Sequence, residues 1–192
     1  MKAPLIIGLA GALALAGCQN KSNTDETAGA PAATAPSATP LPSDTPATAT
    51  APTTPQGFVD AAASSDMYEI AAAKLAQQTT GVSAQTKSFA AMMAKDHTKS
   101  SADLKAAVGK AGSGLSVPLA MKPEHQTQLD ALKKAGSNFN TLYAQQQVAA
   151  HQAAAMLLQD QANSGTVPAL KDFAGKTLPV VQHHLEEAQK LS

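Results

Sequence analysis

Residues 82–108 read VSAQTKSFAAMMAKDHTKSSADLKAAV, and their spacing decides the fold. Val82, Thr86, Phe89, Met93, His97, Leu104 and Val108 fall on one stripe of an α-helix, with charged and hydroxyl residues filling the opposite face. No proline interrupts the run, no β-branched residues alternate along it, and the glycines from Gly109 to Gly114 close it. One residue does not belong on an apolar stripe: His97.

The same period governs the chain on either side. Upstream, Phe58, Ala62, Glu69, Ala73 and Ala76 share a face of a first helix that Gly81 ends. Downstream, Val117-Pro118 leads to a short helix from about Pro123 to Ala135, with Leu129 and Leu132 inward, and Gly136-Ser137 breaks it. A further long helix, about Asn138 to Asn163, carries Phe139, Tyr143, Gln147, His151, Ala155 and Leu158 on one face and stops at Ser164-Gly165. The last begins at Pro168 and aligns Leu170, Phe173, Ala174, Leu178, Val181, Leu185 and Ala188, with His184 at the edge of the stripe. Pro179 removes one backbone hydrogen bond from it and predicts a kink one turn before His184. Four amphipathic helices of similar length, with short turns within each pair and a long middle connection holding the extra short helix, predict an all-α antiparallel four-helix bundle with a ferritin-like crossover.

Composition agrees with this class. Aromatic residues are 3% and Trp is absent while hydrophobic residues reach 44%, so alanine, the best helix former, carries much of the apolar content. The 14 basic residues are all lysine and balance 14 acidic ones, which argues against a nucleic-acid or nucleotide clamp built on arginine forks.

Before the helices lie two other segments. Residues 1–17 combine Lys2, an apolar run from Leu5 to Leu15 too short to span a bilayer, and small residues before Cys18, the pattern of a secretory signal. Leu15-Ala16-Gly17-Cys18 resembles a bacterial lipobox, which implies a signal peptide over 1–17 and lipidation of Cys18. Gln19-Asn20 follow in place of acidic retention residues, and by the same resemblance this points to the outer membrane, facing the periplasm. Because Cys18 is the single cysteine, its lipidation excludes a disulfide, a thiol nucleophile and a thiolate metal ligand. Between Pro31 and Gln56, Pro, Ala, Thr and Ser account for 23 of 26 residues, the composition of an extended spacer. The expected organisation is a signal over 1–17, a tether over 18–56 and one helical domain over 57–192.

Each long helix carries one carboxylate or imidazole on or beside its stripe: Glu69, His97, His151 and His184. Measured from their turns at about 1.5 Å per residue, they stand roughly 18, 24, 21 and 28 Å along their helices, close enough to share one layer. They form a candidate metal site, with Asp96, Tyr143 or Glu187 orienting the imidazoles. Nitrogen with one carboxylate suits Zn, Fe, Mn or Cu, and nothing in the sequence chooses among them. The plainer alternative leaves these histidines at helix rims, bonded to neighbours or water. Glu-x-x-His occurs nowhere, which argues against a ferritin-type di-iron centre; Met92 and Met93 read as core and His125 as surface. Hydrolase elbows, phosphate loops and His-Glu-x-x-His are also missing, so an enzyme is the less favoured reading.

Several segments together resemble the domain of unknown function 4142 family of bacterial outer-membrane or periplasmic proteins: Phe58-Val59-x-x-Ala62-Ala63, Glu69, Lys74-Leu75-Ala76, Phe89-Ala90-x-x-Met93-x-x-Asp96-His97, Phe139-x-x-x-Tyr143, His151-Gln152, Phe173-Ala174, Thr177-Leu178-Pro179 and His184. The family pattern has Asp where this chain has Asn140. The resemblance implies a ferritin-like helical bundle in the cell envelope and no established activity. Two functions are expected on these grounds. The first is a lipid-anchored envelope protein acting as a binding or structural module, with the membrane and an envelope protein as partners; the second is a metal-binding or metal-dependent stress-response protein using the Glu/His layer.

Overall fold

A computed structural model describes residues 54–112 and 114–191, and the signal segment, Cys18 and nearly all of the tether lie outside them. The described residues are all-helical, with no strand: α1 (Pro55–Gln78), α2 (Ala84–Ala111), α3 (Pro123–Lys134), α4 (Phe139–Ser164) and α5 (Pro168–Ala188), plus a 3-10 turn at Gly136–Asn138. None of these helices is long and apolar enough to cross a membrane.

Local chemistry sets the helix ends. Thr54 Oγ1 accepts from Gly57 N at 3.0 Å and Pro55 occupies the first turn, where its missing N–H costs nothing. Helix α1 therefore begins two residues before the expected boundary at Gly57, and the Gln56 side chain ties it to Asp60 and to the backbone of Ser116. Ser83 Oγ caps α2 by accepting from Thr86 N at 3.0 Å. The turn between α1 and α2 needs Gly81 at φ 81°, a backbone conformation that a Cβ opposes. A Cβ there would meet nothing within 4 Å, so the cost of Gly81→Ala is conformational alone: about 1–2 kcal/mol, read as a lowered denaturant midpoint at unchanged slope. Pro179 lies inside α5, which continues through it to Ala188.

Helix α1 packs along α2, α4 along α5, and α2 along α5, while α3 lies against α1 and α4. The apolar interior forms two clusters. One gathers Tyr68, Ala72, Ala76, Phe89, Met93, Phe139, Tyr143 and Ala188; the other gathers Phe58, Val59, Leu104, Val108, Leu158, Leu170, Phe173 and Val181. Ala72, Ala73, Ala76 and Ala90 are fully buried, and such small side chains allow helix axes to approach closely. Along α1 and α5 the chain meets the second cluster before the first, and along α2 and α4 it meets them in the reverse order. Between the clusters, on all four long helices, the buried residues turn polar: Asp66 and Glu69, His97, Gln147 and His151, and His184.

The short helix α3 is fastened by Ser64, a buried residue of α1. Its Oγ accepts from Lys122 N at 2.8 Å and lies 2.7 Å from His125 Nδ1, and the His125 ring stacks on Tyr68 at 5.4 Å. His125 is thus partly buried structural glue and not the surface residue its isolated position in a short helix had suggested.

Candidate metal centre

Desolvating a polar side chain is unfavourable unless it is paired, so the buried layer between the apolar clusters must be read atom by atom. His97, His151 and His184 are 5%, 1% and 1% exposed. Their ring centroids form a nearly equilateral triangle with sides of 5.6, 5.4 and 5.4 Å. One nitrogen from each ring lies within 4.8 Å of one from each of the others.

The outer nitrogen of each ring is committed. His97 Nδ1 donates to Asp66 Oδ1 at 2.8 Å, and Ser101 Oγ steadies the other Asp66 oxygen at 3.3 Å. His184 Nε2 donates to Asp96 Oδ2 at 3.1 Å. His151 Nδ1 donates to the Gln147 carbonyl, one turn back on α4, at 2.8 Å. Because the acceptors are carboxylates and a carbonyl, these nitrogens carry the protons, and in the neutral rings the remaining nitrogens carry lone pairs. Those nitrogens, His97 Nε2, His151 Nε2 and His184 Nδ1, are buried and have no hydrogen-bond partner.

The charges are graded. Burial pushes the His151 imidazole down to about 3, helped by the neighbouring His97. Burial also lowers His184, against the pull of Asp96. At His97 burial is overcome by the bond to Asp66 and the charge of Glu69, and its basicity is raised. Burial pushes the Glu69 carboxyl up to about 7.

Of the residues expected at a site, the structure brings together His97, His151 and His184, with Asp96 on His184. Glu69 is in the same layer but outside the three-histidine cluster: Oε2 accepts from Gln147 Nε2 at 2.7 Å, while the buried Oε1 has no partner. Tyr143 is fully buried, stacked on Phe139 and edge-on to Phe89, and its hydroxyl is also unpartnered, so it orients no imidazole. Glu187 does not reach the rings; its Oε1 accepts from Lys190 Nζ at 2.6 Å on the same helix. Asp66 and Gln147 carry roles the sequence reading did not give them. The signal for Asp66 was present, since it stands three residues before Glu69 on the same helix face. A groove of about 610 Å³ between α2 and α5, lined by Lys99, Asp103, Lys110, Asp172 and Lys176 among others, includes none of the layer's residues.

Fold and layer define an all-helical protein with a buried trio of imidazoles braced by carboxylates and a backbone carbonyl. Residues 40–191 match the domain of unknown function family DUF4142, most of the chain, and the protein belongs to that family. No curated protein and no solved structure matches it.

Proposed function

We propose that this chain is a metal-binding protein of the bacterial cell envelope, holding one divalent first-row transition ion through His97 Nε2, His151 Nε2 and His184 Nδ1. The observation that carries this reading is three buried rings 5.4–5.6 Å apart, each with one unpartnered nitrogen and with its opposite nitrogen held by an acceptor. Once His97 gives up its extra proton, the three imidazoles offer three lone pairs to a cation, while His151 and His184, whose basicity burial lowers, present theirs already. Imidazole donors suit Zn, Cu, Fe and Ni, and Asp66 and Asp96 bring two negative charges to balance a divalent ion. Nitrogens about 2.0–2.1 Å from a tetrahedral ion stand roughly 3.4 Å apart, so closure from the observed limit of 4.8 Å asks for about 1.4 Å of movement at most.

The architecture this reading uses is an antiparallel four-helix bundle of ferritin-like style. The order in which the four long helices meet the two apolar clusters supports it: α1 opposes α2, α4 opposes α5, and the segment holding α3 crosses between two helices of the same sense. The lipobox-like Leu15-Ala16-Gly17-Cys18 and the Pro/Ala/Thr-rich stretch support a lipid-anchored, tethered domain on the outer membrane, facing the periplasm.

The test is metal content. Full-length protein loaded with zinc and desalted is expected to retain about one equivalent by mass spectrometry, and the His97→Ala, His151→Ala double variant close to none. Equal retention by both would refute the site.

A further inference from the structure

The three imidazoles leave unexplained a second set of buried polar atoms in the same layer. Glu69 Oε1, Gln147 Oε1 and Tyr143 Oη are all enclosed and have no hydrogen-bond partner. Glu69 and Gln147 are 1% and 0% exposed, and the bond from Gln147 Nε2 to Glu69 Oε2 fixes both side chains and leaves each with one acceptor oxygen to spare. Gln147 stands one turn before His151, and its backbone carbonyl accepts the hydrogen bond from His151 Nδ1–H. Phe89 packs edge-on against both Tyr143 and His151, at 6.2 and 6.3 Å, and supplies an apolar wall. Two acceptors and one hydroxyl without partners therefore belong to the layer of the three histidines, tied to it through the Glu69–Gln147 bond, the Gln147 carbonyl on His151 and the Phe89 ring.

Water bound to a metal supplies those partners. Its lone pair goes to the ion, and its two O–H groups match two acceptors, Glu69 Oε1 and Gln147 Oε1; the Tyr143 hydroxyl provides a donor. A three-histidine ion has a fourth tetrahedral position for such a ligand. Resting on the metal reading above, we propose that the fourth coordination position is reserved for an exchangeable small oxygen ligand, water or hydroxide, held by Glu69 and Gln147, and that small linear anions replace it. The enclosing helices and Phe89 restrict the position to ligands of a few atoms. Glu69 is on this account a positioning residue that holds the ligand, not a ligand of the ion.

Cobalt(II) loaded into the full-length protein in place of zinc reports this position through its visible bands, and azide serves as the probe. Azide is expected to shift the bands saturably, one azide displacing one water. Glu69→Gln is expected to keep cobalt and to lower the half-saturating azide concentration about tenfold, because an amide holds the resident water less tightly than a carboxylate does. Cobalt bands that ignore azide in the native protein and respond only after Glu69→Ala would place Glu69 on the ion and overturn the inference, while the metal reading stands. Bands that ignore azide in both would also overturn it. No cobalt bands at all would remove the metal reading itself.

Discussion

Glu69→Gln and His151→Leu, each in the metal-free protein, are expected to give stability profiles of opposite slope between pH 6.5 and pH 4.5. His151 is pushed by burial to about 3, below its ordinary 6.5. The unfolded chain therefore takes up a proton that the folded chain refuses, and the stability His151 permits is lost as the pH falls below 6.5. Glu69 is pushed by burial to about 7, above its ordinary 4.5. Its contribution runs the other way: fully present below 4.5, lost as the pH rises through 7. At about 1.4 kcal/mol per pH interval of one, each group alone spans roughly 3 kcal/mol over the window, and in the native chain they largely cancel. Replace the Glu69 carboxyl by an amide that cannot ionise in the unfolded chain and the His151 loss is uncovered, so Glu69→Gln is expected to lose roughly 3 kcal/mol on acidification across the window. Remove the imidazole and the carboxyl's gain is uncovered, so His151→Leu is expected to gain a similar amount. Urea midpoints at several pH values measure both, and parallel profiles for the two variants would show that the two groups are not buried together in one layer.

That opposition could not have been foreseen from spacing, and the reason is instructive about what a helical stripe conveys. Periodicity assigns residues to faces, and it placed Glu69, His97 and His151 on the inward stripes and His184 at the edge of its own. The structure buries all four. Height is conveyed more coarsely. Counting from the turns put the three histidines roughly 21–28 Å along their helices, a spread of about 7 Å, and the rings stand 5.4–5.6 Å apart.

Side-chain partners were the least legible. Asp66 shares Glu69's face, but a carboxylate alone names no partner; only the arrival of His97 on α2 shows why one is buried there. Gln147 was visible on its stripe, but a neutral amide announces no chemistry until Glu69 is found against it. Glu187 was drawn toward His184 by proximity in sequence, and a lysine three residues on along its own helix took it instead. His125 sits in a helix too short to define a stripe, so its Ser64 and Tyr68 contacts had no sequence signal.

Asp66 also carries the second large expectation. A ligand that binds only the folded state stabilises it in proportion to the logarithm of its excess, so zinc at a thousandfold over its dissociation constant is expected to add about 4 kcal/mol to the native protein. Asp66 holds His97 Nδ1–H at 2.8 Å with its own second oxygen steadied by Ser101, and so turns Nε2 inward and raises its donor strength. Asp66→Asn keeps an acceptor at the same place while removing the charge. It is expected to weaken zinc by about 10–100-fold, and hence to forfeit roughly 1.4–2.7 kcal/mol of the zinc-dependent stabilisation at fixed zinc. Asp103→Asn makes the control, since Asp103 is an exposed partner of Lys99 and should leave zinc affinity unchanged. Calorimetric titration of the three proteins separates the cases: if Asp66→Asn binds zinc as tightly as the native chain, the carboxylate is there to satisfy a buried imidazole in the fold, and not to prepare it for a metal.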